Sequence, residues 1–183
     1  PPVAPAPLLD DLRRLIEEGF ESDLLLLTGG VSKGKYDYVR QVLEELGAEF
    51  YVQGVAIRPG KPLVFGRAKG KFFFGLPGNP VSTYVTFELF VRPAIALLGG
   101  AEFAQPVFLR ARLGRPFRQK LGLAVFMPAR VERQDGDPVV NTVGWQGSGD
   151  LVGVAAANCF LVIHPEQTEL AAGDWVDVLP KSA

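Results

Sequence analysis

Four stretches of this chain put glycine, proline and small polar or basic residues where an anion could be held against bare backbone. The first is Thr28-Gly-Gly-Val-Ser-Lys-Gly-Lys-Tyr-Asp37, between an apolar run and a helical pattern. Ligands of open α/β sheets bind at such strand-to-helix crossings. Glycines there let N–H groups approach an anion, and the helix N-terminus adds partial positive charge. Gly29-x4-Gly34-Lys35 nearly completes the GxxxxGK[ST] phosphate loop, but Tyr36 stands where that motif needs a hydroxyl for magnesium. A nucleotide-triphosphate loop is therefore disfavoured, and a glycine turn with exposed lysines is the plain alternative. Asp37 is the one acid of the segment and the candidate partner for magnesium or an oxyanion's counter-cation. A solvated acid in a first helical turn is the alternative there.

The second stretch is Ile57-Arg-Pro-Gly-Lys-Pro62, in which Arg58 and Lys61 stand three residues apart on a proline-stiffened turn. A stiff turn lowers the entropy cost of presenting charge to a ligand. Residues 31–71 carry a local net charge of +4 in a chain whose formal net charge is −1. That balance suits a small polyanion and gives no track for nucleic acid. The third is Gly75-Leu-Pro-Gly-Asn-Pro80, again strand to loop to helix, with Gly78 in the loop, Asn79 as N-cap and Pro80 at the first helical position. The fourth is Gly144-Trp-Gln-Gly-Ser-Gly149, where Ser148 sits between two glycines. It lacks the spacing of a nucleophile elbow, so an anion-binding hydroxyl suits it better. A basic run, Arg110, Arg112, Arg115, Arg118 and Lys120, holds no acid and reads as a solvated strand face or a rim for the same ligand.

The elements that must position these residues change character part-way along the chain. Residues 8–18 are an amphipathic helix, 23–28 a wholly apolar strand expected to be buried on both faces of a parallel sheet, and 36–46 a second helix. A strand over 50–57 and a hairpin turning at 68–70 follow, then a third helix from Asn79-Pro80 to about residue 98. After Gly100 helical periodicity gives way to short alternating segments, 107–113, 124–131, 139–143, 160–163 and 175–179. Such strands with regular turns predict a small barrel or sandwich. The expected division is a linker at 1–7, an α/β unit at 8–100 and an all-β unit at 101–183. Only a helix precedes the first strand, so the sheet reads as the later part of a larger one.

The chain has 183 residues, 48% of them hydrophobic and 21% charged, which is ordinary for a folded globular chain. The longest run without charge is 16 residues, broken by Gly75-Leu-Pro-Gly-Asn-Pro80, so no membrane span is expected. Cys159 is the only cysteine and His164 the only histidine. This excludes an intrachain disulfide and a Cys/His zinc site built from this chain alone, and Cys159 in its apolar run reads as a buried thiol. A soluble, cytoplasmic protein is the expectation.

Thr-Gly-Gly-Val-Ser, Arg-Pro-Gly-Lys-Pro, Gly-Leu-Pro-Gly-Asn-Pro-Val-Ser and Gln-Gly-Ser-Gly, in that order, resemble the molybdopterin molybdenumtransferase family of MoeA and gephyrin E-domain type. The resemblance implies a partial molybdopterin-binding α/β domain followed by a small C-terminal β-barrel domain. It implies insertion of molybdate into adenylylated molybdopterin, with Mg2+ and release of AMP, by a protein that acts as a homodimer. It assigns Thr28, Gly29, Gly30, Val31 and Ser32, with Gly78, Asn79 and Pro80, to the pterin-phosphate and nucleotide site. Asp37 matches the acid near the metal, Arg58 and Lys61 the basic pair of the family's Lys-Pro-Gly-Lys turn, and Ser148 the C-terminal-domain serine. Arg58 replaces a lysine, which keeps the charge but changes donor geometry. A non-catalytic pterin-binding or scaffold module, or a molybdopterin adenylyltransferase-like protein, is the alternative. The family's N-terminal domains have no counterpart here, so the chain as given is expected to bind weakly and not turn over.

Overall fold

The computed structural model describes residues 6–30, 38–120, 122–144, 147 and 149–181. The chain divides into two compact units, Pro1–Val55 with Gly60–Phe103, and Ala56–Pro59 with Ala104–Ala183. Against the expected single division at 100–101, the later boundary here falls at 103–104, and a second difference lies earlier in the chain. Residues 56–59 leave the first unit and return to it, because a two-residue strand in that stretch pairs with the second unit's sheet.

The first unit holds α1 (Ala6–Gly19), β1 (Leu24–Thr28), α2 (Tyr38–Glu45) and β2 (Glu49–Gln53), and, after the excursion, β4 (Val64–Ala68), β5 (Lys71–Leu76), α3 (Pro80–Thr86) and α4 (Arg92–Leu98). The excursion carries β3 (Ile57–Arg58). The four-stranded sheet runs β1-β5-β4-β2. Only β1 and β5 are parallel, in the register Leu24↔Phe72 to Thr28↔Leu76, and the other pairs are antiparallel. The sheet is therefore mixed. Lys69 (φ 49°) and Gly70 (φ 79°) form the two-residue turn of the β4–β5 hairpin, both left-handed as such a turn needs.

Alternate residues of β5 serve opposite layers. Phe73 packs with Ile16 of α1, Phe20 just after it, and Val42 and Leu43 of α2, and meets the rings of Phe20 and Phe50 edge-on. Phe74 packs with Leu63, Leu76 and Val91 on the other side and stacks on Phe65 at 4.6 Å. This is the period-2 alternation of a sheet between helical layers.

The apolar strand β1 is not buried on both faces. Its residues are half-buried or exposed, Leu26 to 37%, because β5 is its one partner among the described strands. The second expected strand also stops early, at Gln53. Gly54 there takes φ +107°, and the chain then leaves the sheet.

The helix predicted from Asn79-Pro80 is continuous over 19 residues, Pro80–Leu98, with one wide π turn at Phe87–Val91. The Arg92 N–H reaches back to the Phe87 carbonyl, and Pro93 has no N–H to continue the ordinary ladder. By length and composition this helix could cross a membrane, a possibility the sequence reading missed by counting only the uncharged run. Its Val81, Val85 and Val91 are fully buried, and Val91 lies in the core against the sheet, as in a core helix.

The second unit is a closed barrel of five strands. It contains β6 (Leu109–Leu113), β7 (Phe117–Arg118), β8 (Ala124–Gln134), β9 (Asp137–Thr142), α5 (Leu151–Ala156), β10 (Cys159–Ile163), β11 (Glu169–Leu170) and β12 (Trp175–Pro180). The order β10-β12-β6-β9-β8 closes because β8 also pairs with β10. The eleven residues of β8 make this possible: its first half pairs with β10 and its second half with β9. Every second residue points inward, as in Val125, Ala129, Cys159, Leu161, Ile163, Val176 and Val178. β3 adds to β8 in parallel, and β7 pairs with β11 as a separate ribbon. Asp135 (φ 52°) and Gly136 (φ 94°) turn the β8–β9 hairpin. The short helix α5 was not foreseen; its N-cap Asp150 accepts from the Gly153 N–H at 2.9 Å.

Candidate anion-binding site

In the first unit, β1 and β5 run parallel and end together at the pair Thr28↔Leu76, so the loops that follow leave from the same edge of the sheet. The Gly29 N–H donates to the Leu76 carbonyl at 3.0 Å, continuing the ladder one residue past β1. Gly29 and Gly30 then take φ of +79° and +64°. A side chain on Gly30 would stand 2.8 Å from Val39 Cγ2, and one on Gly78 would stand 3.3 Å from the Gly29 Cα. The glycines thus serve two ends: a left-handed chain reversal, and contact between the two loops.

Gly78 and Asn79 are exposed, and Thr28 is exposed beside them. Asn79 occupies the N-cap position by backbone conformation, but its side chain makes no capping bond. The Thr83 hydroxyl does the tying instead, within reach of the carbonyls of Pro77 and Asn79, while the Thr83 N–H donates to Asn79 O at 2.9 Å. Pro80 stands in the first turn as expected. Val31, Ser32 and Asp37 lie outside the described residues, as does Ser148.

Arg58 and Lys61 fall in different units. Arg58 ends β3 opposite Val125 and precedes a cis bond to Pro59, within the barrel unit. Lys61 belongs to the α/β unit, where its carbonyl accepts from the Val55 N–H at 2.9 Å and Gly54 N–H donates to Leu63 O at 2.7 Å. Both side chains are exposed. Their spacing of three residues therefore records a chain crossing between units.

The barrel unit carries a pocket of about 430 Å³. Arg58, Arg118 and Lys120 line it, together with apolar groups including Phe117, Leu123 and Met127. Arg118 also pairs with Glu169, its Nε 2.9 Å from Oε1. The basic run of the sequence is thereby split. Arg110 faces Asp177 at 3.4 Å; Arg112 bonds Asp137 at 2.8 Å and lies 4.6 Å over the Trp175 ring. Those two are a solvated strand face with its own counter-charges, whereas Arg118 and Lys120 serve the pocket.

Gln119, between them, was not singled out by its sequence context. Its backbone N–H donates to Thr168 O at 2.9 Å, and its Nε2 to the carbonyls of His164 and Gln167, both at 2.9 Å. No local signal marks it, because its partners lie 45 and 48 residues away.

Cys159 is 1% exposed and packed in the barrel core, and burial pushes its thiol up to about 11. A thiol so protonated is a poor nucleophile. His164 Nε2 lies 2.8 Å from Asp177 Oδ2. Among the described residues no group of three or more His, Cys, Asp or Glu side chains is placed to hold a metal.

Residues 5–97 match a probable molybdopterin binding domain. The chain belongs to that family. Residues 110–181 match a second family, the MoeA C-terminal region (domain IV). The molybdopterin molybdenumtransferase of Haemophilus influenzae is 35% identical over 180 residues, covering 94% of this chain and 44% of that protein. The protein of the same name from Staphylococcus aureus is 33% identical over 172 residues, covering 93% and 41%. Among solved structures, a molybdopterin biosynthesis MoeA protein of Pyrococcus horikoshii superposes with a TM-score of 0.74 at 32% identity, over 94% of this chain and 41% of that one. A molybdenum cofactor biosynthesis protein of Pyrococcus furiosus gives 0.65 at 30% identity, over 93% and 54%. The chain spans less than half the length of these curated relatives.

Proposed function

We propose that the intact protein inserts molybdate into adenylylated molybdopterin and releases AMP, as a step of molybdenum cofactor biosynthesis. The observation that carries this reading is the meeting of Gly29 and Gly78 at the carboxyl ends of two parallel strands, which bares backbone for a phosphorylated ligand. The likeness to proteins named molybdopterin molybdenumtransferase supports it, and the match to domain IV favours it over an adenylyltransferase-like protein.

In this reading Thr28, Gly29, Gly30, Val31 and Ser32, with Gly78, Asn79 and Pro80, hold the pterin phosphate and nucleotide. Arg58 holds molybdate in the barrel pocket with Arg118 and Lys120, and Lys61 and Ser148 are the other groups assigned to the anionic substrates. Molybdate and the phosphoanhydride are both anions, so the chain's task is electrostatic: cations bring them together and balance charge on the departing AMP. Neither a histidine base nor a thiol nucleophile is needed.

The described residues alone do not fit a protein cage for magnesium. Magnesium commonly binds through one or two carboxylates plus substrate phosphates. Asp37 and the anhydride would be its donors. We take the intact protein to be a cytoplasmic homodimer, which sedimentation velocity tests.

The deciding experiment incubates the intact protein with adenylylated molybdopterin, molybdate and magnesium and follows AMP. Molybdate-dependent AMP release is the expected result. Tight binding of adenylylated molybdopterin without release would replace this reading with a non-catalytic binding role, and neither binding nor release would overturn both.

A further inference from the structure

Gln119 presents an energetic oddity. Its Nε2 serves two carbonyls, those of His164 and Gln167, while its Oε1 is buried without a hydrogen-bond partner. A buried unpaired acceptor is destabilising, and such a group calls for an explanation. A methionine of similar length would remove the stranded oxygen but take the donor from the His164 and Gln167 carbonyls, so the two effects on stability oppose one another.

The explanation lies in what the amide holds. Arg118 and Lys120 flank Gln119 and both line the barrel pocket, as does Gln119 itself. Among the described residues the segment that carries them has few other ties, one being the Arg118–Glu169 ion pair. β7 pairs with β11 over two residues only, and beyond it the backbone is tied by Gln119 N–H to Thr168 O and by Gly122 N–H to Pro165 O, at 2.9 and 3.2 Å. The turn on the other side is itself braced, since the His164 N–H donates to Gln167 Oε1 at 2.9 Å. Gln119 thus bolts a lightly held cationic segment to a rigid turn.

We propose that Gln119 is a positioning residue that preorganises Arg118 and Lys120 to receive an oxyanion in the barrel pocket. This rests on the reading of that pocket as the molybdate site. Cations already fixed in place gain more from an anion than cations that must be ordered on binding.

The test uses molybdate alone as the probe, titrated calorimetrically into the intact protein and four variants. Gln119→Met removes the stranded oxygen and also the donor to two part-buried carbonyls, so its melting temperature should fall no further than that of the structural control below. Its molybdate Kd should rise about fivefold to tenfold, the scale of one or two lost hydrogen bonds. Asn158→Ala is the control for a purely structural tie. Its Nδ2 and Oδ1 bond Val131 O and N at 3.0 and 2.9 Å within the same barrel, away from the pocket residues. It should lower the melting temperature and leave the Kd unchanged. Gln119→His, which keeps one N–H donor, should recover part of the affinity; if the Met variant fails to fold, the His variant takes its place with the same criteria. An unchanged Kd in the Gln119 variants, while Arg58→Ala weakens binding, overturns the positioning role and leaves the pocket reading standing. No saturable molybdate binding by the parent overturns both.

Discussion

Gly29 and Gly78 lie against one another so closely that a methyl group on Gly78 would stand 3.3 Å from the Gly29 Cα. The contact follows from the parallel pairing of β1 with β5, which brings both strands to the same edge before either turns away. A side chain on Gly78 would press on the Gly29 backbone, whereas one on Gly29 would stand 4.0 Å from the Gly78 Cα, an ordinary contact, and act through its left-handed φ instead. Gly78→Ala should therefore cost little stability, since its backbone is unstrained for alanine, but weaken AMP binding about tenfold. Gly29→Ala should do both, because φ +79° costs an L-residue about 1–2 kcal/mol. Urea denaturation and AMP titration of the two variants check the contrast. Equal affinity in all three proteins would remove these loops from the site.

Arg58 and Lys61 are separated by the division between units, so their contributions are expected to be distinguishable. Hydrogen bonds to charged groups contribute about 1.5–3 kcal/mol each. Arg58→Ala should weaken molybdate binding through the barrel pocket by tens-fold, and the double variant with Lys61→Ala should weaken adenylylated molybdopterin binding further. A double-mutant cycle by calorimetry measures their coupling. Unchanged affinity in the double variant would exclude both from the site.

The Cys159 thiol, raised by burial to about 11, makes the barrel sensitive to alkali. An acid whose folded pKa is raised favours the folded state fully below its ordinary pKa, near 9 here. That contribution is lost as pH rises through the folded value, so the urea midpoint should fall between about pH 9 and 11. Cys159→Ala should flatten the fall relative to the parent, with tyrosine titration common to both. Iodoacetamide should label Cys159 in the parent only in denaturing urea; rapid labelling of the folded protein would contradict its burial.

Chymotrypsin should cut first at Phe103, which is 65% exposed where the chain leaves the α/β unit. That cut should not free the barrel. Ile57 and Arg58, on the N-terminal fragment, remain paired with Ala124 and Val125. The nicked protein should co-elute on gel filtration and separate only in denaturant. Separation under native conditions would show that β3 contributes nothing to holding the pieces together.

The sequence by itself determined the features that neighbouring residues write. Glycines at 29, 30 and 78, the left-handed turns at Lys69-Gly70 and Asp135-Gly136, and the alternation of the barrel strands all depend on residues a few positions apart. Local sterics and period-2 burial fix them before any distant contact forms. What only the tertiary structure decided depends on partners far along the chain. The leucine run of β1 is compatible with burial on both faces, but its burial depends on which strands lie beside it. The basic run looked uniform until strands 25 to 65 residues away supplied Asp137 and the Trp175 carbonyl to Arg112 and Arg110, while Arg118, paired with Glu169, and Lys120 line the pocket. Arg58 and Lys61 are adjacent in sequence, yet the pairing of Ile57 and Arg58 with β8 draws only one of them into the barrel. Charge spacing along a chain specifies which groups are available, and the folded partners decide which of them face a pocket.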